Sequence, residues 1–254
     1  MSDTVHTLVS KQFSPRADAY VQSAVHASGA DLEALATFAQ NNRFARALDL
    51  GCGGGHASFT IAPFVGEVTA YDLSAEMLTA VAAEAARRGF SNLSTRQGAV
   101  EKLPFENGEF DFVTTRYSAH HWQDIRAALR EARRVLKQGA HAVFMDAFAP
   151  ADSLRDTFIQ TIEMLRDPSH VRDYSIAEWT VLLGEADFKV QDIVERKIHL
   201  DFATWIARMQ TQPVYANAIR ALQKQISAGV VEYFAIEPDG SFMLDSMSIR
   251  TEAV

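Results

Sequence analysis

The chain has 254 residues, 48% of them hydrophobic and 22% charged, with a formal net charge of −8 and seven proline and thirteen glycine residues. That length and composition suit one α/β domain, or one core with an embellishment, and the acidic balance argues against a general nucleic-acid binder, which needs clustered Lys and Arg. The lone cysteine, Cys52, excludes an internal disulfide framework and a multi-cysteine zinc site, and no apolar run approaches the ~20 residues of a membrane helix.

The first stretch, "MSDTVHTLVSKQF", has no apolar signal core, which predicts a cytoplasmic protein. Residues 1–45 read as helical: "DLEALATFAQ" (31–40) puts Leu32, Leu35, Phe38 and Ala39 on one face. "RALDL" (46–50) is a short apolar run followed by glycines, a buried strand. "HASFTIAPF" (56–64) is a helix and "EVTAYDL" (67–73) a second strand. "SAEMLTAVAAEAARRG" (74–89) is a helix with Ser74 as N-cap and Gly89 as its stop. "NLSTRQG" (92–98) and "DFVTTR" (111–116) are strands around the loop "LPFENGEF" (103–110). Asp124 caps a helix over 125–137 that stops near Gly139, and "HAVFMDAF" (141–148) is the fifth strand.

Strand and helix alternate in this way over about a hundred residues, which implies a mostly parallel sheet with helices on both faces and a ligand site at the carboxyl ends of the strands. Residues 151–254 break the rhythm. Helices are predicted at 152–167 and 175–186 and a strand at 188–200. A helical pair follows, then a last strand at 240–250. That helical pair reads as a cap over the site. The division expected is a helical lid at 1–45, a Rossmann-like core at 46–150, and the rest of the sheet with its cap at 151–254.

"ALDLGCGGGHAS" (47–58) carries the most specific signal. Glycine right after a strand supplies positive φ and lets a ligand approach the backbone. Seventeen residues after Gly55 stands Asp72, where an acid accepts hydrogen bonds from ribose hydroxyls. Gly51, Gly53 and Asp72 together indicate an adenosine-type cofactor without saying which. Asp49 discriminates. A carboxylate two positions before Gly51 is unhelpful beside a pyrophosphate and useful beside an ammonium, which points to S-adenosylmethionine (SAM). The alternatives are a nicotinamide-dependent oxidoreductase on a similar sheet and a protein that binds SAM without catalysis.

"LDLGCGGG", "YDLSAEML", "QGAVEKLPFENGEFDFV", "RYSAHHW" and "EARRVLKQGAHAVFMD" together resemble the class I SAM-dependent methyltransferases, and most closely the type 11 group that includes ubiquinone and menaquinone biosynthesis enzymes. "LRDPSHVRDYSIAEW" (165–179) resembles a bacterial YcgJ-like branch of it. The resemblance implies a seven-stranded sheet whose last strand is antiparallel. It also implies SAM binding, with S-adenosylhomocysteine (SAH) as product: Asp49, Gly51 and Gly53 at the methionyl end, Asp72 at the ribose, Leu73 and Met77 on the adenine, and the segment Ala99, Val100 and Glu101 on its other side. Ala99 departs from the aspartate frequent in this group, so the adenine contact must come from the backbone or from Glu101, or be absent. "KQFSPRADAYVQS" (11–23) resembles the group's lid, with Phe13 and Tyr20 on one helix face.

"RYSAHHW" (116–122) follows the fourth strand, at the reacting end of such a site. The other histidines stand at 6, 26, 56, 141, 170 and 199 with no HxxxH-type spacing near the pair, so no metal site is expected. If the acceptor must lose a proton, an imidazole can take it near neutral pH. On an extended loop only one of the two faces the substrate; His121 is the first candidate and His120 the second. Tyr117 and Trp122 can offer ring faces to a sulfonium. Arg116 contributes its carbonyl, or pairs with Asp49 or Glu101. Phe148, Phe158, Trp179, Trp205 and Tyr215 in the cap suggest an apolar or aromatic small-molecule acceptor. The expected assembly is a monomer or homodimer, without nucleic acid or membrane insertion.

Overall fold

The structure is a computed structural model, and it describes residues 4–17, 21 and 28–254. Tyr20 lies outside these. Helix α1 (Val5–Phe13) starts on Thr4, whose side chain accepts from the Thr7 N–H, and passes at Ser14 into a 3₁₀ turn containing Pro15. Proline lacks the N–H an α-helix needs, so α1 itself ends at Phe13; the face expected to join Phe13 to Tyr20 reaches outside the described residues. Helix α2 (Ala30–Asn42) buries Leu32, Leu35 and Ala39, as its spacing predicts.

The core strands are β1 (Arg46–Leu50), β2 (Glu67–Asp72), β3 (Leu93–Gln97), β4 (Phe110–Arg116) and β5 (Leu136–Ala147). Between them run α3 (His56–Ile61), α4 (Ala75–Arg88) and α5 (Ile125–Val135). α4 has the expected caps: Ser74 Oγ accepts from the Met77 N–H, and Gly89 takes a left-handed φ of 79°. Asp124 caps α5. That helix ends at Val135, earlier than predicted, because Leu136 is buried and already pairs with Phe110. The register then skips to Phe112 opposite His141, and Gly139, at φ 73°, sits in this irregularity rather than at a helix end.

Downstream come α6 (Ser153–Arg166), α7 (Ile176–Glu185), β6 (Phe188–Leu200), α8 (Phe202–Met209), α9 (Pro213–Gln225), α10 (Ala228–Tyr233) and β7 (Phe242–Ala253). The short α10 is an addition to the predicted cap pair. The seven strands lie in the order β3-β2-β1-β4-β5-β7-β6. All neighbours are parallel except β7, which is antiparallel to both β5 and β6. β2 and β4 flank β1, so the chain reverses its direction of travel across the sheet beside β1, where the carboxyl ends leave a crevice.

Strand alternation divides the core. Leu48, Leu50 and Val113 pack with α5 and α7 on one face. Ala47, Val68 and Phe112 pack with α2 and α3 on the other. A third cluster joins α6, α8, α9 and α10 to Phe242 and Leu244 at the start of β7, and it holds the cap beside the carboxyl ends of the strands.

Candidate functional site

The glycine loop leaves β1 through Gly51 (φ 63°), Gly53 (φ 48°) and Gly55 (φ 78°), a conformation that L side chains rarely adopt. The first two glycines do different jobs. A Cβ on Gly51 would fall 1.8 Å from Ser118 Oγ, whereas one on Gly53 would meet nothing within 4 Å. Gly51 therefore lets the loop pack against the segment after β4, and Gly53 leaves an open face. The Gly53 N–H donates to Asp72 Oδ2 at 2.9 Å, and the Ser74 N–H donates to Asp72 Oδ1 at 2.9 Å. Asp72 thus ties the loop to the start of α4, and burial pushes its carboxyl up from the usual range.

Asp49 is buried on β1. Its Oδ2 accepts from Ser58 N at 2.9 Å and Ser58 Oγ at 2.6 Å, at the start of α3. Its Oδ1 is buried without a partner. Burial raises this carboxyl to about 6, against the opposing Ser58 bonds.

These residues line one end of a cavity of about 460 Å³ together with Leu73, Met77, Val100 and Glu101. Ala99 is not among the described lining residues; its carbonyl accepts from Tyr71 Oη at 3.2 Å. Glu101 is already engaged, with Oε1 accepting from the Gln123 N–H at 3.0 Å and Oε2 lying 3.2 Å from His6 Nε2 on α1. Arg116 lines the cavity, but its Nε donates to Asp31 Oδ2 at 2.5 Å. Asp31, at the start of α2, takes the place expected for Asp49 or Glu101, because the Arg116 side chain leaves the sheet on the α2 side.

Residues 119–121 form a 3₁₀ turn rather than an extended loop. A tight turn does not alternate its side chains, so both histidines line the cavity, with ring centroids 4.2 Å apart. Their environments differ. His120 Nδ1 lies 2.6 Å from Asp146 Oδ1, and its backbone N–H donates to Asp146 Oδ2 at 3.2 Å. Burial works against charge on this imidazole, yet the Asp146 carboxylate outweighs it and lifts the group to about 9. His121 Nδ1 lies 3.1 Å from the Ser169 carbonyl oxygen, and burial plus the neighbouring His120 push it down. The Phe13 ring meets His121 edge-on at 5.1 Å.

Tyr117 lines the cavity at φ 49°, with its hydroxyl 2.9 Å from Ser246 Oγ. Arg116 already covers its ring, at 4.9 Å from the centroid. Trp122 is buried and donates from Nε1 to Ser118 Oγ at 3.1 Å. Of the five cap aromatics, only Trp205 lines the cavity. Phe148, Phe158 and Trp179 are buried in the packed clusters, and Tyr215 is 46% exposed. The aromatic character expected of the acceptor loses most of its basis. Cys52 lines the cavity as a free thiol that burial holds well above its usual range, which keeps it un-ionised and unreactive.

Several site residues carried little signal in the sequence. Asp146 was visible as an acid inside an apolar strand, and Ser58 as a hydroxyl at a helix start. Glu163, Arg166, Asp167 and Asp173, all lining the cavity's far end, lie in the departure from βα rhythm and look locally like helix surface and loop.

Residues 48–144 match a family described as a methyltransferase domain. YafE of Escherichia coli (strain K12) is 46% identical over 195 residues, covering 77% of this chain and 94% of that protein. The methyltransferase YcgJ of Bacillus subtilis (strain 168) is 37% identical over 196 residues, covering 77% and 78%. The crystal structure of YcgJ superposes with a TM-score of 0.84 at 32% identity, over 87% of this chain and 97% of that one. With this sheet order, an antiparallel β7 and a glycine loop beside an acid-tipped β2, the chain belongs to the SAM-dependent methyltransferases.

Proposed function

We propose that the protein moves the methyl group of SAM to a small-molecule acceptor bound at the far end of the same cavity. The observation that carries this reading is the cavity itself. The glycine loop, Asp49 and Asp72 line one end, and the paired imidazoles line its wall with Asp146 behind His120.

The cofactor end fits SAM on two counts. The partnerless Asp49 Oδ1 suits an ammonium, and the open face of Gly53 leaves room for a ligand against the backbone. On this reading Asp49, Gly51 and Gly53 hold the methionyl part, Asp72 the ribose, and Leu73 and Met77 the adenine. Val100 and Glu101 close its other side. When bound, SAM supplies an activated methyl on a sulfonium. The protein then acts chiefly by holding acceptor and donor in line, an effect worth on the order of 7–11 kcal/mol.

Where the acceptor carries a proton, His121 is the imidazole open to receive it, because burial and the neighbouring His120 keep it neutral. His120, held by Asp146 at Nδ1, is already an imidazolium at neutral pH and acts as a fixed positive charge in the wall. The test is a titration of the purified protein with SAH and with NADH, followed by a methyl-transfer screen over hydroxyl, amine and carbon acceptors. Binding of SAH and methyl transfer that drops in His121→Gln support the reading; binding of NADH in place of SAH would overturn it.

A further inference from the structure

Four carboxylates stand around the far end of the cavity, and three of them have partners in the protein. Asp146 holds His120 and accepts from its neighbouring Ala147 N–H at 2.8 Å. Glu163 pairs with Arg166 at 2.9 Å. Asp167 accepts from the Ser169 N–H at 2.8 Å and the Ser169 hydroxyl at 2.6 Å. Asp173 is different. It is 2% exposed, lines the cavity, and its Oδ2 has no hydrogen-bond partner. Its backbone is fixed in place by Gln160, which accepts from the Asp173 N–H at 3.1 Å and donates to the Asp173 carbonyl at 2.7 Å.

The nearby cations are committed elsewhere. Arg172, next in sequence, turns to Asp156 and Glu178. Arg166 is held by Glu163 and by the Trp205 carbonyl. The His120 charge is matched by Asp146. His120 and Arg166 attract the Asp173 carboxylate without bonding to it, and they do not offset its burial; a buried carboxylate with no directly bonded cation is costly, and it persists where a ligand supplies what the protein does not. Burial accordingly pushes the Asp173 carboxyl well above its ordinary value. The same signature marks Asp49 at the opposite end: a buried, cavity-lining acid with one orphaned oxygen. A hydroxyl on the ligand would occupy one lone pair at Asp173 and leave the charge unmatched. A protonated nitrogen meets both needs.

We propose that the methyl acceptor carries a basic nitrogen, and that Asp173 is the residue that pairs with it and selects for it. The proposal deepens the methyltransferase reading, since it rests on the acceptor sharing this cavity with the cofactor. Asp173 acts here in recognition; the methylated atom is a separate matter.

The experiment uses the full chain saturated with SAH and two probes of one shape, benzylamine and benzyl alcohol, titrated calorimetrically just above pH 8, where the Asp173 carboxyl is ionised and the amine still carries its proton. A charge-assisted bond to a buried carboxylate predicts at least about tenfold tighter binding of the amine. In Asp173→Asn the two probes bind alike, while SAH affinity is kept. The melting temperature of ligand-free Asp173→Asn equals or exceeds that of the wild type, because the substitution removes an unmatched buried acid without changing shape. Equal binding of the probes to the wild type overturns the proposal, as does binding of neither while SAH binds. A lower melting temperature in Asp173→Asn would mark a structural role and overturn it too. Failure of SAH to bind refutes the cofactor reading underneath, and is told apart from these by that titration alone.

Discussion

The two oxygens of Asp49 face different surroundings, and that asymmetry makes its behaviour with pH predictable. Oδ2 is satisfied by Ser58 and Oδ1 by nothing among the described residues. Because the folded value, about 6, lies above the ordinary one, the ligand-free protein gains stability as pH falls through that range. The carboxylate that would meet the ammonium is lost over the same range. SAH affinity, measured calorimetrically, therefore declines below about pH 6, and Asp49→Asn weakens it roughly 10- to 100-fold at neutral pH, the size of one charge-assisted bond. His120 has the opposite sign. Its raised value of about 9, against an ordinary 6.5, contributes stability that is complete below 6.5 and fades as pH climbs through 9. Urea denaturation at pH 6 and pH 9.5 should show Asp146→Asn clearly weaker than the wild type at the lower pH and close to it at the higher. An unchanged gap would remove Asp146 as the cause.

The glycine loop, taken as an element, separates two effects that usually arrive together. Gly51→Ala puts a methyl group onto Ser118 Oγ at a positive φ, so it destabilises the fold and disturbs the wall behind the histidines. Gly53→Ala has space for its methyl group and pays only the left-handed strain of about 1–2 kcal/mol, a loss of roughly 2–8 °C in Tm for a chain of this size. Its methyl group occupies the open face instead. Gly53→Ala should therefore stay folded and bind SAH poorly, and Gly51→Ala should lose several degrees more. How far the elements could be read from sequence follows from how local their causes are. β6 spans Phe188–Leu200 as its alternation predicts, and the caps of α4 and α5 sit on Ser74 and Asp124. The start of β5 was hidden because Leu136 continues the apolar period of α5, and only its pairing with Phe110 across the sheet makes it strand. The histidine turn, the Arg116–Asp31 pair and the burial of Trp179 depend on distant segments meeting. Sequence spacing therefore named the residues around the site more reliably than the partners they take.

Across the whole molecule, α1 joins the two halves of the cavity wall. It buries none of its own residues. Polar contacts and the Phe13 ring against His121 hold it and the turn after it. His6 reaches Glu101 and Ser14 Oγ lies 2.8 Å from Ser74 Oγ on the cofactor side, while Gln12 and Arg16 donate to the Met209 carbonyl on the cap side. A segment that buries none of its residues opens at low free energy. Amide hydrogen exchange in residues 5–13 should be fast in the free protein and slow several-fold with SAH bound, whereas β1 and β4 change little. Equal exchange in both states would detach α1 from cofactor binding.

The place of β7 in the sheet bears on how the protein is made. Residues 242–253 fill the gap between β5 and β6, yet they leave the ribosome after both. Until they do, β6 lacks the strand it pairs with among the described residues, and β5 presents seven unpaired positions from His141 to Ala147 along one side. The five-stranded cofactor half can assemble first, with the cap and the acceptor end following only when β7 slots between two partners already waiting. A chain that ends at residue 241, released from the ribosome, should keep β1–β5 resistant to protease while α8–α10 are cut.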